Sequence, residues 1–229
     1  MKSLIKTLIK TLLREGLNER NIWYHGSADV RKIEKEGGFE QRTLSVEYIS
    51  DITVFNKLQS DLENAFSADD KDEYHRILDM IPKLKKRLTI RKPIFLTNSK
   101  IVAKTYANAS RSMDYQNAEE KVLKVRVNTN KGITIVSTGQ NFNFIELNNI
   151  KQGFISAGIN EEDFDEVFNK FNWNARNNSK IKTDSVAIMG EYLGFDYIDV
   201  LGVLDSYDGG STESTVRMVF NPNYIKIIK

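Results

Sequence analysis

A chain of 229 residues and 26.3 kDa suits one domain, or one domain with an appendage. Its 33 basic and 31 acidic residues leave a net charge of +2, too balanced for general attraction to nucleic acid or membrane. The absence of cysteine excludes disulfides, a thiolate nucleophile and cysteine–zinc sites, and only two histidines make a histidine-rich metal centre an unpromising expectation.

In chain order, Leu4, Ile5, Leu8, Ile9, Leu12 and Leu13 recur at helical spacing, with Lys6, Lys10 and Arg14 between them. Residues 2–15 therefore read as an amphipathic helix stopped at Gly16, and residues 1–16 as an appendage to a main domain over 17–229. Such a helix docks on its own domain or, with lysines beside an apolar stripe, meets a membrane surface or a partner. No apolar run reaches membrane-spanning length and no small-residue cleavage site follows the start, so a reducing cytoplasm is the expected compartment.

Ile22-Trp23-Tyr24-His25-Gly26-Ser27 reads as a short strand ending at a glycine, where backbone approaches something closely. A short charged stretch follows, with Gly37-Gly38 as a turn. Residues 43–66 and 70–90 carry two helical stripes, one from Val54 to Phe66 and one from Tyr74 to Leu84. They are expected to form a helical insertion over about 43–90, with Asp69 or Asp70 as an N-cap and Pro82 ending or kinking the second helix. His75, among Glu73, Tyr74 and Arg76, reads as a surface residue. The cations Lys83, Lys85, Lys86, Arg87, Arg91 and Lys92 read as a solvated face or as a means of steering an anionic substrate.

Ile94 to Leu96 reads as a strand running into a helix that carries Tyr106. Val122–Val127 and Ile133–Val136 read as strands about a turn, residues 161–171 as a helix with acids at its start, and residues 185–193 as a helix stopped by Gly194. Phe195–Val203 reads as an apolar strand, residues 205–214 as a loop and the stretch from Val216 as the last strand.

The stretches Trp23-Tyr24-His25-Gly26-Ser27 and Ile94-Phe95-Leu96…Tyr106 together resemble the NAD-binding half of ADP-ribosyltransferases of the diphtheria-toxin and poly-ADP-ribose-polymerase type. The family's histidine falls on His25, its first tyrosine on Phe95 and its ring-stacking tyrosine on Tyr106. The end, Val216-Arg-Met-Val-Phe220, is similar to the closing strand of such modules in phage proteins. The resemblance implies an α+β fold, an ADP-ribosyltransferase-like split antiparallel β-sandwich with helical insertions around a cleft.

It further implies that NAD is a substrate. The Gly26 backbone would hold the nicotinamide carboxamide, Ser27 and His25 the ring or ribose hydroxyl side, and Phe95 and Tyr106 would stack on the ring. No metal is required. The chain departs from the pattern where polymerase-type members place a glutamate, because Val216 stands there. Glu213 is the nearest acid, with Asp208 and Asp205 further back, and Glu213 alternatively reads as a solvated turn residue. The expected function is NAD-dependent mono-ADP-ribosyl transfer to a macromolecule, protein or nucleic acid, by a phage-encoded modifier or intracellular toxin. The alternative is a catalytically silent module of the same fold that binds a partner.

Overall fold

The computed structural model describes residues 21–27, 30–114, 122–137, 144–172, 179–205 and 212–228, so the helix expected over residues 2–15 lies outside the described residues. The centre is a seven-stranded sheet built from β1 (Ile22–Gly26), β4 (Ile94–Thr97), β5 (Val122–Val127), β6 (Gly132–Val136), β9 (Tyr197–Asp205), β10 (Thr212–Val219) and β11 (Ile225–Ile227). Their spatial order is β11-β5-β1-β4-β10-β9-β6. All neighbours are antiparallel except β6 and β9, which run parallel. The fold is thus mixed, with helices and strands. The seven strands form one hydrogen-bonded sheet with a thin joint, since β1 and β4 are paired at Tyr24 and Thr97 alone, and β7 (Phe144–Glu146) and β8 (Lys180–Lys182) pair separately.

Period-two alternation assigns the two faces. Phe95, Val216 and Met218 point to one face, where they meet Ile133, Ile135, Ile198 and Val200. This larger core is covered by α5 (Leu147–Ser156), α6 (Glu161–Phe171) and α7 (Thr183–Tyr192), which contribute Ile150, Phe154, Phe164, Phe168, Val186 and Met189. Trp23, Leu96, Leu123, Val125 and Val219 point to the opposite face, under Val30 and Ile33 of α1 (Val30–Glu36) and Phe39. Helix α1 stops as its sequence suggests. Gly37 adopts φ +77, the Gly38 N–H donates to the Ile33 carbonyl at 3.0 Å, and a side chain at Gly37 would be strained.

The insertion differs from its expectation at both ends. Residues 43–49 and 85–91 are strands, β2 (Thr43–Ile49) and β3 (Lys85–Arg91), paired with each other from Thr43↔Arg91 to Ile49↔Lys85. Alternation of polar and apolar residues, Ser45-Val46-Glu47-Tyr48-Ile49 against Arg87-Leu88-Thr89-Ile90, outweighs the helical spacing of the neighbouring stripes. Only α2 (Ile52–Ser67) and α3 (Lys71–Leu84) are helical. Asp51 and Asp70 cap them, each accepting a backbone N–H at 3.0 Å, and Pro82 sits in the last turn of α3. His75 is exposed, as read from its neighbours.

Helices α2 and α3 share a small core of Leu58, Ala65 and Ile77. Their ends meet where Ser50 donates through its N–H and its hydroxyl to the Leu84 carbonyl, both at 2.9 Å. Replacing residues 51–84 by a tight turn should therefore leave the Ile49↔Lys85 pairing in place. The shortened protein is expected to lose helical circular dichroism yet unfold cooperatively in urea. A broad, non-cooperative transition would place the hairpin in the main folding unit.

Candidate functional site

His25 is the last residue but one of β1 and stands where β1 parts from β4. Continuing the register one residue beyond Tyr24↔Thr97 brings His25 level with Leu96, which pairs with Arg217 on β10. Its Nδ1 lies 2.9 Å from the Phe95 carbonyl oxygen. A carbonyl only accepts, so Nδ1 carries the proton and Nε2 of the neutral ring is left as an acceptor. Burial lowers the His25 pKa from its ordinary value, and the Phe95 hydrogen bond opposes that shift. The unfolded chain therefore takes up this proton more readily. Its contribution to stability is complete above about pH 6.5 and is lost as pH falls from there through the lower folded value.

Phe39 packs edge-on against the imidazole, with ring centroids 5.0 Å apart at 88°. His25, Phe39, Ser27, Ile33, Ile94 and Phe95 line a cavity of about 220 Å³. Charged side chains surround it: Lys32, Arg42 and Lys92 are cations, and Glu36 and Glu40 are acids. Arg42 and Lys92 are held side by side because the Lys92 N–H donates to the Arg42 carbonyl at 2.8 Å. Lys32 lies 3.9 Å from a carboxylate oxygen of each acid. The volume is below the roughly 300–1,000 Å³ of sites that engulf a drug-sized ligand.

The structure brings His25, Ser27 and Phe95 together in this cavity. Gly26 turns to the other face, where α4 (Lys100–Asp114) packs on it. A Cβ built on Gly26 would lie 1.7 Å from the Ala103 carbonyl oxygen, so helix packing alone requires glycine here. Tyr106, half-buried, lies three residues beyond Ala103 on that helix and does not line the cavity.

Glu213 is not brought to His25. Expected in a loop, it is the second residue of β10, exposed and paired with Leu204. β-branched Thr212 and Thr215 around it favour the strand that the glycines before it obscured. It lies four residues along β10 from Arg217, about 13 Å at strand rise, and two strands across from β1. Val216 is buried in the larger core opposite Thr97. Asp208 lies outside the described residues.

No site role is expected from the sequence for Lys32, Glu36, Phe39, Glu40 or Arg42, which flank the Gly37-Gly38 turn. The available signal was Phe39, a large aromatic directly after the Gly37-Gly38 stop. No family model matches this chain, and no curated protein or solved structure matches it either.

Proposed function

We propose that the protein is an NAD-dependent ADP-ribosyltransferase whose nicotinamide riboside end occupies the His25 cavity. The observation that carries the reading is the neutral His25 ring, locked by the Phe95 carbonyl at the parting of β1 and β4. Its Nε2 would accept from a ribose hydroxyl. A neutral ring at that place adds no positive charge beside a ribose that becomes oxocarbenium-like as nicotinamide leaves. A nicotinamide reaching past the His25–Phe95 bond would meet Phe95 and Tyr106, and Lys32, Arg42 and Lys92 would face the diphosphate.

Calorimetry with NAD tests this reading. His25→Ala is expected to weaken binding about fivefold, the scale of one hydrogen bond of about 1 kcal/mol. Tyr106→Ala should weaken it by a similar factor through loss of stacking. Unchanged affinity in both variants removes the NAD reading. A second reading, a catalytically silent module of the same fold that binds a partner, is favoured by the buried Val216 and the remote Glu213.

A further inference from the structure

At its β1, β5 and β11 end, the face of the sheet turned away from the His25 ring carries charges of one sign among the described residues. On β5, Leu123, Val125 and Val127 point into the core, while Lys124 and Arg126 are exposed on the other side. Lys226, exposed on the edge strand β11, pairs directly with Arg126. Tyr24 pairs with Lys124 and Ile22 with Arg126, so a half-buried aromatic and an aliphatic side chain share the face with the cations. A shallow cavity of about 430 Å³ lies at the edge, lined by Arg126, Lys226, Ile227 and Ile228.

Helix α4 packs on the same face and adds exposed Lys100 and Lys104. Among the described residues, β1, β5, β11 and positions 100–107 of α4 hold no carboxylate side chain, and Lys124, Arg126 and Lys226 form no ion pair.

Edge protection accounts for one of these charges only. A lysine on an edge strand deters pairing with another sheet, which suits Lys226. Lys124 and Arg126 lie one strand further in, where no edge needs guarding. Like charges directly opposite across an antiparallel pair, as Arg126 and Lys226 are, destabilise the sheet. An anion laid between them would relieve that repulsion. Residues two apart on a strand are about 6.7 Å apart and cross-strand partners about 5 Å. Those spacings are close to that of consecutive phosphates in an extended strand.

We propose that this face binds the phosphate backbone of single-stranded nucleic acid, with Lys124, Arg126 and Lys226 on phosphates and Tyr24 beside the bases. A sheet face with an aromatic among cations is a platform for unstacked bases, and Lys124, Arg126 and Lys226 lie on strands rather than on a helix that could enter a duplex groove. A lipid surface fits less well, because β1, β5 and β11 bear no exposed large apolar side chain and α4 adds a single one, Ile101, among its described side chains. The proposal stands apart from the cavity reading, since the His25 ring lies on the opposite face.

The test is fluorescence anisotropy of a short labelled oligothymidylate against the full chain at several salt concentrations. The wild type is expected to bind. The triple variant K124Q/R126Q/K226Q should bind at least about tenfold more weakly at low salt, with the slope of log K against log salt reduced by about 2. His25→Ala should bind the oligonucleotide like the wild type whatever it does to NAD. All three substitutions are at exposed positions, and circular dichroism checks that the triple variant is folded. Absence of binding by the wild type, or equal binding by the folded triple variant, overturns the proposal. So does binding to phosphatidylserine vesicles with none to the oligonucleotide.

Discussion

Arg217→Met is expected to destabilise the protein by about 3–5 kcal/mol, the cost of leaving one member of a buried ion pair without its partner. Arg217 and Asp199 are each 9% exposed. The guanidinium makes a two-pronged contact, Nε to Oδ1 at 2.7 Å and Nη2 to Oδ2 at 2.6 Å. Its carbon lies 4.2 Å from the Trp23 ring centre and 4.1 Å from that of Tyr197, so the cation is sandwiched between two aromatic faces. The indole N–H of Trp23 is buried with no acceptor among the described residues, which makes the stacked cation the main polar contact of that ring.

Methionine fills much of the space but strands the Asp199 carboxylate. At about 2–4 °C per kcal/mol for a chain of this size, the melting temperature should fall by roughly 10 °C. Arg217→Lys keeps the charge yet loses the planar fork, so it should fall between the two. The double variant Arg217→Met/Asp199→Leu should recover most of the loss, because it removes both charges at once. Urea denaturation of all three decides the matter. A loss below about 1 kcal/mol in Arg217→Met would mean that Asp199 finds water or another donor.

The strands and helices that carry clear periodicity were legible from sequence. Leu123–Val127 alternates apolar and charged residues, and residues 161–171 show both an acidic start and an apolar face, as found in β5 and α6. Failures came where two periods compete. Residues 43–49 and 85–91 adjoin strong helical stripes that mask their short alternation, and their mutual pairing settles them as strands. The cavity was half legible. His25, Ser27 and Phe95 lie on short elements whose residue types stand out, and β1 and β4 carry them to one place. Its charged wall was not legible, because Lys32 and Glu36 reach it through the packing of α1 on the sheet and Arg42 through the Lys92 N–H bond to its carbonyl. Gly26 shows the opposite limit. Its glycine is accounted for by the approach of Ala103, a contact between residues far apart in sequence.

If the chain cleaves NAD as proposed, the same geometry bears on which acid serves. A ribose whose hydroxyl meets Nε2 of His25 is on the order of 15 Å from Glu213, counting strand rise and strand spacing. Ladder pairing with Leu204 fixes Glu213 at that distance. The carboxylates on the cavity wall are Glu36 and Glu40, both bound to Lys32 at 3.9 Å. Their side chains are 47% and 65% exposed without ligand, and a nucleotide across the mouth would cover them and strengthen their field at the ribose. In a nicotinamide-release assay, Glu213→Gln is therefore expected to keep turnover within about threefold of the wild type. The double variant E36Q/E40Q should lose at least about a hundredfold, the scale of one well-placed electrostatic stabiliser, with NAD affinity changed far less. Loss confined to Glu213→Gln would return the acid to β10 and require that strand end to move. A wild-type protein that binds NAD in calorimetry and releases no nicotinamide has a cavity without a working carboxylate, and the silent reading then holds.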